Sequence, residues 1–231
     1  MMRVRHGVVL GALSLIGIAL GWAFWDGLAG YEGARLADLA ASRVPQSGVS
    51  NPVTAVLLNF RAYDTLLELA VLLAAILGIW SSGPARSGYR PAGEVLTALV
   101  AWVVPLLILA GGYLLWVGAH APGGAFQAGA LLGAAGVTLR LAGHEGAGLP
   151  PEPLLRVALG LGVLVFTLSG LALVPLAGGF LTYPPDLAKW LILVIETAAT
   201  LSIGATLAAA YLGGHPRDPG PGGFNHGVPP S

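Results

Sequence analysis

VLTALVAWVVPLLILAGGYLLWVGAHAPGGAFQAGALLGAAGVTL, residues 95–139, runs for 45 positions between Glu94 and Arg140 without an Asp, Glu, Lys or Arg. A helix rises about 1.5 Å per residue and a bilayer core is about 30 Å thick, so about 20 apolar residues cross it once. The run is therefore long enough for two crossings. Gly118, Pro122, Gly123 and Gly124 interrupt it near its middle, where the chain must turn. Pro122 is expected near the first turn of the second of these helices. No apolar run alternates strictly, as a barrel strand would.

The rest of the 231 residues agrees. The chain is 55% hydrophobic and 10% charged, with a mean hydropathy of +0.78, whereas about a quarter of a soluble domain is charged. The expected fold is all-α, a polytopic membrane protein of about six transmembrane helices. They are placed at 7–25, 60–80, 95–116, 124–142, 154–174 and 189–212. The stretch 175–188, with Pro175, Gly178, Gly179, Pro184 and Pro185, reads as a loop. Expected units are a two-helix part (1–80), a linker (81–94), a four-helix part (95–212) and a Gly/Pro-rich disordered tail (213–231).

Two choices near the amino terminus stay open. Arg3 and Arg5 before an apolar run could mark a signal peptide, yet the run is 19 residues long and ends in Gly-Trp-Ala-Phe-Trp, which suits a retained helix with an aromatic belt. Residues 26–50 mix Tyr31, Leu36 and Leu39 with Glu32, Arg35 and Asp38. They fit either a short helix on the membrane surface or an exposed loop.

With six spans, Arg3, Arg5, Arg86, Arg90, Arg140, Arg156 and Arg217 fall on one side and Arg35, Arg43, Arg61 and Lys189 on the other. A bias of seven basic residues to four puts both termini in the cytoplasm. Net charge is zero and Lys189 is the lone lysine, so there is no basic surface for nucleic acid. The absence of cysteine removes disulfides, iron–sulfur clusters and thiolate metal sites. There is no HExxH, P-loop, GxSxG or histidine cluster, so no cofactor, metal or enzymatic activity is expected.

Charge inside the spans carries the functional expectation. A carboxylate at the centre of a spanning helix costs roughly 2.5–3.5 kcal/mol on insertion scales and normally faces a bundle interior or a hydrated path. Arg61, Asp64 and Glu68, three and four residues apart, would share one helix face and neutralise one another. Glu68 is placed about 10 Å from the start of its helix, and Glu196 about 10 Å beyond Lys189, the expected outer end of the last helix. Carboxylates at one level on two helices would suit a proton path. The alternatives are an interfacial role for Arg61 and Asp64 and a packing role for Glu196, bonded to Thr197, Thr200 or a neighbouring helix. His120 completes the ion-path candidates with Lys189; it either shuttles protons or is polar surface. Gly129, Gly133 and Gly136 form a small-residue stripe that permits close helix approach.

Two segments are familiar. NPVTAVLLNFRAYDTLLE, residues 51–68, resembles the N-x-V-N-x-I-L-V-D-F-R-x-x-D-T-x-x-E signature. That signature belongs to the carboxy-terminal part of the A subunit of Mrp-type multisubunit sodium/proton antiporters and to the E subunit of related membrane-bound hydrogenases. HAPGGAFQAG, residues 120–129, resembles the N-x-P-G-G-G-F-x-G-G segment of the antiporter B subunit (MnhB-like). Asn59 departs from the usual acid, and Ala125 and Ala128 from glycines. The resemblance implies an E-like segment fused to a B-like one in a hetero-oligomer of the cell inner (plasma) membrane, with other antiporter or complex I-like subunits as partners and Na+ and H+ as transported ions. Arg61, Asp64 and Glu68 then carry over as path residues. The alternatives are a subunit of a hydrogenase-like, redox-driven pump and a purely structural assembly protein.

Overall fold

A computed structural model describes residues 2–29, 35–82, 93–142 and 148–211; the expected linker and tail lie almost wholly outside them. Eight α-helices and no strand occur among the described residues: α1 (Met2–Ala29), α2 (Leu36–Arg43), α3 (Pro52–Ala55), α4 (Ala62–Ser81), α5 (Glu94–Val117), α6 (Ala125–Leu141), α7 (Glu152–Ala177) and α8 (Pro185–Tyr211). Five are long and apolar enough to cross a membrane, and α6 is a shorter apolar helix. The chain is an all-α polytopic membrane protein.

The chain divides into a unit Met1–Leu39 and a second beginning at Ala40. In the first, the described side chains of α1 are exposed all round, Trp22, Phe24 and Trp25 included. Such a surface suits lipid, whose tails are as apolar as leucine. Residues 36–43 of the 26–50 stretch are helical.

In the second unit α8 is the central helix, packed by α6 and α7, with α5 against α6 and α4 against α7 and α8. Small residues allow these approaches. A Cβ on Gly129 would lie 2.7 Å from the Cβ of Ile203, and one on Gly133 would lie 3.0 Å from that of Leu207. These contacts advance together along both chains, so α6 and α8 are parallel. On the other side Gly162 faces Ala199 and Ser202, whose Oγ donates to Leu159 O at 2.7 Å. Ile76 of α4 clusters with Leu155, Leu159 and Ala209, while the start of α4 lies beside residues 180–183, so α4 also runs with α8.

Three boundaries differ from those expected, each for a backbone reason. Pro175 lies inside α7, which continues to Ala177 and stops where Gly178 adopts φ +78°. Pro185 opens α8, a first-turn position where its missing N–H has no partner to lose. Lys189 is therefore in the second turn rather than at the helix end. Pro122 falls in the loop before α6, whose N-cap is Gly124.

The segment between α2 and α4 is more elaborate than an apolar run suggests. A 3-10 turn (Val44–Gln46) leads to Ser47, fully buried, whose Oγ donates to Val44 O at 2.7 Å. Asn51 caps α3, and Val56–Phe60 widen into a π-helix that breaks at Arg61 (φ −127°, ψ 34°). Thr65 Oγ1 donates to Leu57 O at 2.7 Å and so satisfies a carbonyl at the break. A π-turn inside a helical run commonly marks a functional position.

Candidate functional site

The start of α6 is sunken. Its 17 residues span about 25 Å, whereas α8 spans about 40 Å. Its first turn meets Glu196, eleven residues along α8 from Pro185 and hence about 16 Å from that end. The 118–124 loop thus lies below the end of α8. Irregular backbone at membrane depth persists only where protein satisfies its polar groups, and the α3 segment does this. Asn51 Nδ2 donates to Gly118 O at 2.8 Å and to Ala121 O at 2.9 Å, and Thr54 Oγ1 donates to Gly118 O at 2.6 Å. The Ser50 and Asn51 amides both donate to Ala119 O at 3.0 Å.

Glu196 is 3% exposed and accepts a hydrogen bond from the Ala125 N–H. Its carboxylate therefore faces the N-terminus of α6, where unpaired amides and the helix dipole favour negative charge. Gly124 makes room for it: with φ +108°, a Cβ there would stand 2.8 Å from Glu196 Oε1. One turn on, Thr200 Oγ1 donates to Glu196 O at 2.7 Å, to the backbone and not to the acid. Among the described residues Glu196 makes no ion pair. It is a buried acid held by a helix end.

The other candidates occupy different surroundings. Arg61 and Asp64 pair at the head of α4, half to two-thirds exposed. Arg61 lies in the break before α4, so of the expected triad only Asp64 and Glu68 share a face of the regular helix, and the ion pair is Arg61–Asp64. Glu68 faces outward on the chain surface, apart from the interior that holds Glu196. Lys189 and His120 are exposed, His120 on the 118–124 loop. Among the described residues no group of three or more His, Asp and Glu is placed to hold a metal.

The family described as “Domain related to MnhB subunit of Na+/H+ antiporter” matches residues 95–213, just over half of the chain. The chain belongs to this MnhB-related family. The matched region holds Glu196 and the α6 start, and ends beyond α8. Two solved structures share the MnhB-related chain's fold at a TM-score of 0.65 and 25% identity. One is the Mrp complex from Dietzia sp. DQ12-45-1b, where the match covers 95% of this chain and 27% of that one. The MnhB-related chain thus spans about a quarter of that relative's length. The other is the membrane-bound sulfane sulfur reductase, an archaeal respiratory membrane complex, with 88% of this chain and 95% of that one covered. No curated protein matches the sequence.

The Asn51–Thr54 cradle and the Gly124 conformation were not singled out from sequence. Asn51 lies 67 residues from Gly118, and only the before-helix pairing of Pro122-Gly123-Gly124 hinted at a special turn.

Proposed function

We propose that the chain is a membrane subunit of a multisubunit Na+/H+ antiporter in the plasma membrane, without enzymatic activity of its own, and that Glu196 is its carboxylate on the ion path. The burial of Glu196 against the α6 N-terminus, with no basic partner among the described residues, carries this reading. A proton or a sodium ion arriving there would compete with the Ala125 N–H for the same oxygens. Asp64 and Arg61 lie at the head of α4, His120 on the sunken loop and Lys189 above Glu196; these four are the candidate approaches to the buried acid.

Glu68 supports the multisubunit part. A carboxylate exposed on an apolar span is costly against lipid, so a polar group of another subunit is its natural neighbour. The Mrp complex counterpart, which embraces 95% of this chain within one longer chain, supports reading the E-like and B-like segments as one functional piece.

The test is sodium-dependent proton exchange in inverted vesicles carrying the assembled complex. Glu196→Gln should abolish or sharply lower exchange while assembly persists, and Glu68→Gln should weaken assembly; unchanged exchange in Glu196→Gln with assembly intact leaves a scaffold. A second reading, a subunit of a redox-driven ion pump, is favoured by the nearly full-length match to a respiratory complex subunit. It requires ion movement to depend on an added electron donor and acceptor.

A further inference from the structure

We propose that the outward face of α4 from Glu68 to Gly78 is the docking surface for a spanning helix of another subunit, and that this helix places a lysine or arginine against Glu68. The proposal rests on the reading of the chain as one subunit of a larger complex. It adds which face is covered and by what chemistry.

The charge on that face is incomplete. Glu68 lies six residues beyond Ala62, about 9 Å along a span whose one other charged residue is Asp64. Asp64 and Glu68 sit one turn apart on one face, and the base beside them, Arg61, is engaged by Asp64. Glu68 is exposed and makes no ion pair among the described residues. Two carboxylates beside one guanidinium leave one negative charge in excess. An ionisable side chain on a spanning helix almost always faces protein or a hydrated cavity and pairs there. A base is what this face lacks.

The shape of the face separates a helix from lipid. Beyond Glu68 the exposed positions at helical spacing are Val71, Ala74, Ala75 and Gly78, opposite the buried Leu66, Leu69 and Ile76. A Cβ on Gly78 would meet nothing within 4 Å, so a neighbouring backbone can come close. Ala74 and Gly78, four residues apart, form the small-x-x-x-small pattern of packed membrane helices. The exposed side of α5 is built otherwise. Leu99, Trp102, Leu106, Leu109, Tyr113 and Trp116 project from a helix whose one charged residue is Glu94, a surface that suits lipid tails. Within this chain glycine marks where spans meet, Gly129 against Ile203 and Gly162 against Ala199.

Two other occupants lack the complementary charge. Residues 9–28 of α1 contain Asp26 but no base. A two-fold contact with a second copy would set Glu68 against Glu68.

The experiment uses the purified, assembled complex, with the photo-crosslinking residue benzoylphenylalanine in place of Ala75 and, as control, in place of Leu109. The adduct at 75 should join this chain to a spanning helix of another subunit that carries a lysine or arginine within one turn of the crosslinked level, whereas position 109 should label lipid. Glu68→Gln and Gly78→Leu should each lower the amount of that subunit co-purifying by about threefold to tenfold, the worth of an interhelical polar contact. Glu68→Lys should lower it too, and exchanging the partner's base for glutamate should restore it. Open space around Gly78 lets leucine enter without disturbing this chain's own fold, checked by unchanged circular dichroism. The proposal is overturned by lipid adducts alone at 75, by an adduct to α1 or to a second copy, by a crosslinked helix without a base at that level, by undiminished co-purification in either variant, or by a charge exchange that restores nothing. Glu196→Gln should leave the crosslink and the co-purification at wild-type levels. These readouts do not involve exchange, so failure here and failure of the antiporter reading are told apart.

Discussion

Replacing Glu196 separates its two properties, the oxygen that caps α6 and the charge that would carry an ion. Glutamine keeps an oxygen for the Ala125 N–H and nearly the same volume, so Glu196→Gln should leave the fold within about 1 kcal/mol of wild type. Alanine removes the acceptor at a position only 3% exposed, leaving an amide with no partner at the head of a sunken helix. A buried amide without a partner costs about 1–3 kcal/mol, whereas the lost helix-end charge, about 0.3–1 kcal/mol, is common to both variants. Glu196→Ala should therefore be less stable than Glu196→Gln by one to two decades in the folding equilibrium, at about 1.4 kcal/mol per decade. The assay is detergent-induced unfolding of the purified chain followed by tryptophan fluorescence, beside exchange measured in vesicles with the assembled complex. Equal stability of the two variants would refute the capping argument. Retained exchange in Glu196→Gln would remove the acid from the path while leaving the cap intact.

The remaining predictions test the packing around that acid. Gly124→Ala places a Cβ 2.8 Å from Glu196 Oε1 at φ +108°; it should cost about 1–3 kcal/mol and lower exchange without removing the carboxylate. Gly129→Leu meets Ile203 at 2.7 Å and should abolish the α6–α8 contact, seen as loss of folded chain, whereas Gly112→Ala, with open space around it, should be neutral or stabilising by up to about 1 kcal/mol. Asn51→Ala strips the Gly118 and Ala121 carbonyls of a donor and should expose the 118–124 loop to protease, at a stability cost of about 1–3 kcal/mol.

The helices were legible because length and charge decide them. The charge-free run at 95–139 needs two crossings, and the Gly118–Gly124 interruption is where the structure turns. The buried acid was legible for the same reason, as Glu196 is the one charged residue of α8 beyond its second turn. Which way Glu68 faces was not. Lipid and protein interior are equally apolar, so a spanning helix such as α4 shows little periodicity to separate its faces. Helix ends at prolines were misplaced because proline is tolerated both at the first turn, as at Pro185, and near the last, as at Pro175. The role of Asn51 and Thr54 was not legible although both open the 51–68 signature, since their hydrogen bonds join residues more than 60 positions apart.

The short α6 explains why a buried acid and an irregular loop occur together. A helix of 17 residues cannot match α8, and the missing turns are replaced by the 118–124 loop and the segment that covers it. Stopping the helix early exposes its first amides inside the bundle, and those amides need an anion or an acceptor. Glu196 meets that need from α8, and Gly124 adopts a conformation in which a side chain would obstruct it. The acid is consequently held by a partial charge instead of a full one. An arginine in that place would fix the carboxylate as a permanent anion, whereas a helix end stabilises negative charge by only about 0.3–2 kcal/mol. On the proposed path, that weaker hold leaves Glu196 able to exchange its partner for a passing cation. The same cation would loosen the head of α6 and, through Gly118 and Ala121, reach the Asn51 segment leading to the π-turn and Arg61.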